Sequence, residues 1–400
     1  AYENELGSLI ETLELCGIPP LREDRSPGRH PFILMGGPLT FSNPVPLAAF
    51  ADAVILGEAE EIVHRVLDTM MVHGDYHAQR RALADLDHVW VPGLHGEALP
   101  RVGAADHEAK VPAYAQIMTP DTELSDMFLV ETERGCSRGC TYCVMRKSTN
   151  GGMRLASVEK IFARIPDDAR KVGLVGAAVS DHPRIVDIVN ALADRGMGVG
   201  LSSLRPDRLT DRFVGALKRG GYRTLTTAMD GPSERLRLSL ERHAKERHLE
   251  KAAELARAHG MKALKLYLMV GLPTETDDDI DECVAFVSKL SEVNPIALGI
   301  APFVSKRKTP LDNMPFAGID VVERRLDRLR KGLRGRADVR PTSARWAWVE
   351  WVLAQGGERA GRAVLEATHA GGRFSDYKKA FEAAGVVPSS KRRLVVSTAP

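Results

Sequence analysis

The stretch "MFLVETERGCSRGCTYC", residues 127 to 143, runs an apolar strand directly into three cysteines. Cys136, Cys140 and Cys143 follow a CxxxCxxC spacing, with glycine and basic residues between them. They are three of five cysteines in 400 residues, and Cys16 and Cys283 stand alone. Thiols so few and so spaced make no disulfide framework, which points to a reducing compartment. What the three hold has more than one reading. Structural zinc takes four ligands, usually as two separated pairs, and the sequence has no second pair. Three unrelated buried thiols would have no reason to gather at a strand exit. A [4Fe-4S] cluster on three thiolates leaves one iron open to a substrate or cofactor.

Outward from that stretch, strands and helices alternate. "MFLVET", "KVGLVG", "GVGLSS", "RTLTTA", "ALKLYLMV" and "IALGIAP" read as strands, separated by amphipathic patterns such as "RIVDIVNALADRG" and "DDIDECVAFVSKL". This repetition predicts an α/β fold with a partial (β/α)6 barrel over residues 126 to 315, whose sites lie at the C-terminal strand ends. The cysteines follow the first of those ends. Residues 1 to 75 alternate too: the helix "LGSLIETLELCGI", the apolar runs "PFILMGGP" and "DAVILGE", and the helix "AEEIVHRVLDTMMVHG". They read as the tail of an open, parallel, Rossmann-like domain. A linker is expected over 76 to 125. Residues 316 to 400 read as a helical C-terminal domain, with "VVERRLDRLRKGL", "SARWAWVEWVLAQGG" and "FSDYKKAFEAAG". Trp346, Trp348 and Trp351 fit core packing against the barrel, with a cap on a substrate pocket as the other reading.

Hydrophobic residues at 44% and charged residues at 27% suit a globular protein with a sizeable core. A net charge of +2, from 55 basic and 53 acidic side chains, gives no electrostatic case for a nucleic-acid partner. The "KRR" run at 391 to 393 reads as solvated surface. No run approaches the ~18 apolar residues of a membrane span, and no signal peptide opens the chain. A cytoplasmic location without membrane contact is expected. The chain begins at "AYENELGSLIETLELCGIPP", without Met, as a piece of a longer protein would.

The three-cysteine motif and its place resemble the radical S-adenosylmethionine (SAM) superfamily, and the likeness runs through most of residues 125 to 310. The resemblance implies a [4Fe-4S] cluster on Cys136, Cys140 and Cys143. It also implies SAM chelating the open iron and reductive cleavage of SAM to a 5'-deoxyadenosyl radical. Tyr142 matches the aromatic position that packs near the adenine. Where the family often carries GGE, this chain has "GLVGAAVSDHP", so Gly176, Ala177 and Ala178 would meet the methionine amino group through backbone. "LSSLRPDRLT" offers Ser202, Ser203 and Arg205, and "TTAMDGPSERLR" offers Ser233 and Arg235, resembling the ribose and carboxylate contacts. An arginine fork suits the SAM carboxylate. Each of these residues also has a bland reading, as a helix cap or surface ion pair. "LMVGLPTET" resembles the adenine-side GxPxE turn, with Met269, Val270, Gly271, Leu272, Pro273 and Glu275 beside the adenosine and Thr276 or Asp277 as helix cap. Met145, Arg146 and Arg154 fit a pocket rim or plain loop surface. No residue is assigned as catalytic acid, base or radical quencher.

Residues 31 to 63, "PFILMGGPLTFSNPVPLAAFADAVILGEAEEIV", resemble the closing strands of the cobalamin-binding domain that precedes the barrel in one branch of that superfamily. Gly36 and Gly37 would then let backbone approach the cofactor's nucleotide tail. None of the twelve histidines lies in the D-x-H-x-x-G motif that supplies the lower cobalt ligand, and "DLDHVWVPG" at 85 to 93 has the wrong spacing. Cobalamin binding by this chain stays open. The favoured reading is cobalamin-dependent methylation of an unactivated carbon. Hydrogen abstraction without cobalamin, giving ring closure or rearrangement, is the alternative, and a cluster-bearing scaffold is the reading outside enzymology. A methylthiotransferase is disfavoured, because that family draws a second cluster from N-terminal cysteines and only Cys16 lies there. The resemblance implies a small-molecule or peptide substrate and an electron donor such as flavodoxin or ferredoxin.

Overall fold

The computed structural model describes residues 3–146, 152–202 and 204–387. Ser203 and the KRR run lie outside them. The chain forms two compact units. One comprises the residues up to Ala105, Val304–Asn313 and the chain from Arg345 onward; the other comprises Asp106–Phe303 and Met314–Ala344.

In the first unit, helix α1 (Leu6–Leu15) leads to strands β1 (Leu34–Met35) and β2 (Ala53–Ile55), helices α2 (Ile62–Val72) and α3 (Tyr76–Ala84), and β3 (Val89–Trp90). β1 and β2 pair in parallel, as the N-terminal alternation predicts, but β3 joins β2 antiparallel. Asp52 ties this region together. It accepts the Ile33 N–H at 2.6 Å and the Tyr76 hydroxyl at 2.6 Å, and pairs with Arg25 at 3.1 Å. The expected linker from residue 76 thus begins with a helix and a strand that pack onto the N-terminal sheet.

In the second unit, β4 (Phe128–Glu131) and the short β5 (Glu133–Arg134) follow the turn α4 (His107–Lys110). Then come β6 (Arg154–Leu155), α5 (Val158–Arg164), β7 (Lys171–Val175), α6 (Ile185–Asp194), β8 (Gly198–Leu201), α7 (Asp211–Arg219) and β9 (Thr224–Asp230). After α8 (Glu234–Ser239) and α9 (Glu246–Ala258) lie β10 (Ala263–Val270), α10 (Asp277–Val293), β11 (Ile296–Pro302), α11 (Ile319–Gly332) and β12 (Ala337–Pro341). Parallel ladders join β4-β7-β8 and β9-β10-β11-β12. All six expected strands are present, and β12 adds a seventh. The ladders meet through side chains. Tyr222 Oη accepts the Leu201 N–H at 2.6 Å, and Thr227 Oγ1 donates to the Leu204 carbonyl at 2.8 Å.

Alternation fixes which face each strand buries. On β10, Leu264, Leu266, Leu268 and Val270 are buried against the helices, while Lys265, Tyr267 and Met269 stay partly open on the other face. The apolar faces share one core with Val172, Leu174, Phe213, Val287 and Leu326.

Past β12, helices α12 (Ala344–Gln355), α13 (Glu358–His369) and α14 (Phe374–Ala383) complete the first unit. The expected helical domain is therefore divided. α11 and β12 stay with the parallel sheets, and α12 to α14 pack with α1. The tryptophans follow suit. Trp348 stacks edge-on against Phe374 and Phe381, and Trp346 against Tyr377, so both pack on α14 within the first unit.

Among the described residues, no helix is long and apolar enough to cross a membrane.

Candidate functional site

The three cysteines line one cavity of about 490 Å³ at the C-terminal ends of the strands, within the ~300–1,000 Å³ usual for small-molecule sites. Its wall also includes Tyr142, Ala177, Asp181, Arg205, Asp230 and Tyr267. The cysteine loop is shaped by its own backbone: the Cys143 N–H donates to the Cys140 carbonyl at 3.2 Å, and the Arg138 N–H points at Cys136 Sγ, 3.4 Å away. A second loop holds it from outside. The Thr141 N–H donates to the Leu240 carbonyl at 3.1 Å, and Cys140 Sγ lies 4.0 Å from the Glu241 carbonyl. Arg146, expected at the rim, donates instead to the Gly139 carbonyl at 3.0 Å within the same loop.

Burial pushes the Cys143 thiol up to about 11, and it raises Cys136 as well. Left alone, these thiols stay protonated at neutral pH; bound metal draws them to thiolates and releases protons. Among the described residues no three His, Cys, Asp or Glu side chains converge on a single ion. An iron–sulfur cube spaces its thiolates more widely, one to each iron, and three thiols around one cavity, with a backbone N–H directed at a sulfur, fit that demand.

Charge beside the cysteine loop is organised by Asp181. Arg138 bonds it at 2.9 and 3.0 Å, Arg208 at 3.1 Å, and Arg205 lies 3.5 Å away. Burial opposes the Asp181 charge, yet these arginines hold its carboxyl below the usual carboxylate range. Arg205 is 5% exposed and also pairs with Asp207 at 3.0 Å. Its Nη1 is buried without a hydrogen-bond partner among the described residues.

The backbone after β7 makes close contact with Glu133. Gly176 sits at φ 156° directly against the Glu133 carboxyl, where no Cβ would fit. The Ala178 N–H donates to Glu133 Oε1 at 2.6 Å, while Oε2 is buried without a partner among the described residues. Burial raises the Glu133 carboxyl to about 7. Residue-by-residue reading missed this group, because a glutamate in a charged stretch reads as surface. Alternation gave no signal for it: the buried phase of Phe128 and Val130 passes to Thr132, and Glu133 is buried out of that phase, against the turn after β7. Asp230 and Arg242 were missed too. They form an ion pair beside the cysteines, with Asp230 at φ 64° closing β9.

The remaining expected contacts stand elsewhere. Ser233 caps α8 and donates to Asp279 at 2.6 Å. Arg235 is held by the same Asp279, at 2.5 Å, and by the Thr274 carbonyl at 3.0 Å. Neither is among the residues that line the cysteine cavity, and Arg235 buttresses the β10–α10 turn. Glu275 closes that turn, accepting the Gly271 N–H at 2.9 Å and the Leu272 N–H at 3.3 Å and pairing with Arg325 at 2.9 Å. Its carboxylate is thus occupied within the turn, and Val270 is fully buried.

Residues 130–287 match the family model for the radical SAM superfamily, and residues 1–92 match the model for the N-terminal part of radical SAM proteins. Uncharacterized protein MJ0966 of Methanocaldococcus jannaschii is 28% identical over 327 residues, 79% of this chain and 67% of that protein. A tRNA-2-methylthio-N(6)-dimethylallyladenosine synthase of Halalkalibacterium halodurans is 26% identical over 219 residues, 49% of this chain and 39% of its own length. This chain therefore spans well under half of that synthase. Among solved structures, the cobalamin-dependent S-adenosylmethionine radical enzyme OxsB superposes with a TM-score of 0.52 at 13% identity, covering 82% of this chain and 46% of OxsB. That likeness is one of fold. The superfamily model thus matches the region that carries the three cysteines and the parallel strands from β4 into α10.

Proposed function

We propose that this chain cleaves SAM reductively in the cysteine cavity and directs the resulting radical at an unactivated carbon of a substrate held on the open face of a partial barrel. Cys136, Cys140 and Cys143 would hold a [4Fe-4S] cluster, whose open iron supplies the site and the electron for that cleavage. The observation that carries this reading is the convergence on one cavity of three thiols and the buried Arg205. Arg205 would bind the SAM carboxylate, Ala177 would offer backbone to its amino group, and Tyr142 would flank the adenine. An external one-electron donor of the flavodoxin or ferredoxin kind would serve it. The test is anaerobic turnover with dithionite and SAM, with 5'-deoxyadenosine as the product measured. A reconstituted chain that forms none contradicts the reading.

The finer reaction is cobalamin-dependent methylation. The fold likeness to cobalamin-dependent OxsB over 82% of the chain supports it. Hydrogen abstraction without cobalamin is the second reading, and one observation favours it: the N-terminal strands are two or three residues long, and one runs antiparallel. Equilibrium dialysis of residues 1 to 400 against aquocobalamin separates them, with tight stoichiometric binding excluding the second reading.

A further inference from the structure

We infer that the cavity next to the cysteine site, on the open face of β9 to β12, is a subsite for an oxyanion, carboxylate or phosphate, of the substrate. The assignment to substrate rests on the proposed radical chemistry; the anion chemistry does not. This cavity of about 340 Å³ shares two wall residues, Asp230 and Tyr267, with the cysteine cavity. A molecule filling it is one side chain away from the thiols.

Ladder register builds the hollow. Tyr267 on β10 stands between Ala228 on β9 and Gly299 on β11, and Gly299 in turn faces Arg340 on β12. Small residues on both flanks leave the ring room, and a Cβ at Gly299 would lie 2.7 Å from it. Lys265 sits two residues before Tyr267 on the same face, its Nζ 4.7 Å from the ring centroid. The ring face is attractive to a cation and holds it without neutralising it.

The charge of this wall is unbalanced. Asp230 is neutralised by Arg242. Lys265 has no carboxylate within ion-pair distance among the described residues. Among the described residues Arg340 pairs only with its strand neighbour Asp338, and both are more than half exposed, so that pair is weak and exchangeable. Two cations thus flank a cleft whose wall is otherwise mostly apolar, with Met269 and Ile300, and whose other polar side chains are Tyr267, Thr342 and the paired Asp230. Such a cleft takes an amphiphilic molecule, its body on Tyr267 and Met269 and its anionic end on Lys265 and Arg340.

Calorimetric titration of the reconstituted full chain with benzoate, phenyl phosphate and neutral benzyl alcohol tests this. Both anions are expected to bind, the alcohol to bind at least tenfold more weakly, and Lys265→Met and Arg340→Met each to weaken the anions by roughly tenfold. SAM affinity in these variants should be unchanged. The stronger of the two anions identifies carboxylate or phosphate. Equal binding of anions and alcohol, no anion binding, or undiminished anion binding in a chain carrying both substitutions overturns the subsite, whatever the variants do singly. Anion binding in a chain that produces no 5'-deoxyadenosine leaves the subsite standing and overturns the radical reading instead.

Discussion

Glu133 Oε1 accepts the Ala178 N–H at 2.6 Å, tying the strand that enters the cysteine loop to the turn that follows β7. The carboxyl is buried, and burial lifts it to about 7 from an ordinary value of 4.5. A raised acid favours its neutral form in the folded chain. Its contribution to stability is therefore full below about 4.5 and is lost as pH rises through about 7. In the cluster-free chain, Glu133→Gln should flatten the pH dependence of urea unfolding between pH 5 and 8, relieving a penalty of up to about 3 kcal/mol at the upper end. Parallel pH profiles for both chains would contradict the burial argument.

Arg205 and Arg235 looked equivalent as arginines after strand ends, and the structure separates them. Arg205 lines the cysteine cavity, whereas Arg235 does not and is held by Asp279 and Thr274. Arg205→Met should weaken SAM binding by tenfold or more, roughly the value of one charged hydrogen bond. Arg235→Met should leave SAM affinity within about twofold, in keeping with a half-exposed pair. Equilibrium binding under anaerobic conditions reads both.

Arg237 is 1% exposed and donates to the carbonyls of Gly231, Pro232 and Ala244. Those carbonyls bracket the loop that supplies Leu240 and Glu241 to the cysteines. Arg237→Met leaves three buried acceptors unpaired and should cost about 3 kcal/mol or more in unfolding free energy. Iron content after reconstitution should fall with it, since the loop that braces Thr141 and Cys140 is no longer held. Iron content equal to the parent chain's would show that the loop does not position the cysteines.

The parallel strands were legible because each is an apolar run bounded by turn residues. β12 was not. Only Ala337 and Val339 of its five residues pack on the core, and Asp338 and Arg340 point to the open face, so it carries no apolar run. The cysteine cavity could be placed from its spacing and strand exit, and Tyr142, Ala177 and Arg205 line it as expected. What the sequence hid were the partners of Ser233, Arg235 and Glu275, because Asp279 and Arg325 lie dozens of residues away. The joining of chain ends was equally hidden. Asn43 donates to the carbonyls of Leu353, Ala354 and Gly356, contacts that no local pattern encodes.

The central claim is that Cys136, Cys140 and Cys143 together hold a cluster that binds SAM. Electron paramagnetic resonance of the reduced, reconstituted chain, recorded with and without SAM beside iron and sulfide analysis, tests it most directly. The account predicts about four irons and four sulfides per chain, a signal that shifts when SAM is added, and loss of both metal and signal in the triple Cys→Ala variant. Near-stoichiometric iron in that variant, or a parent signal indifferent to SAM, would contradict it.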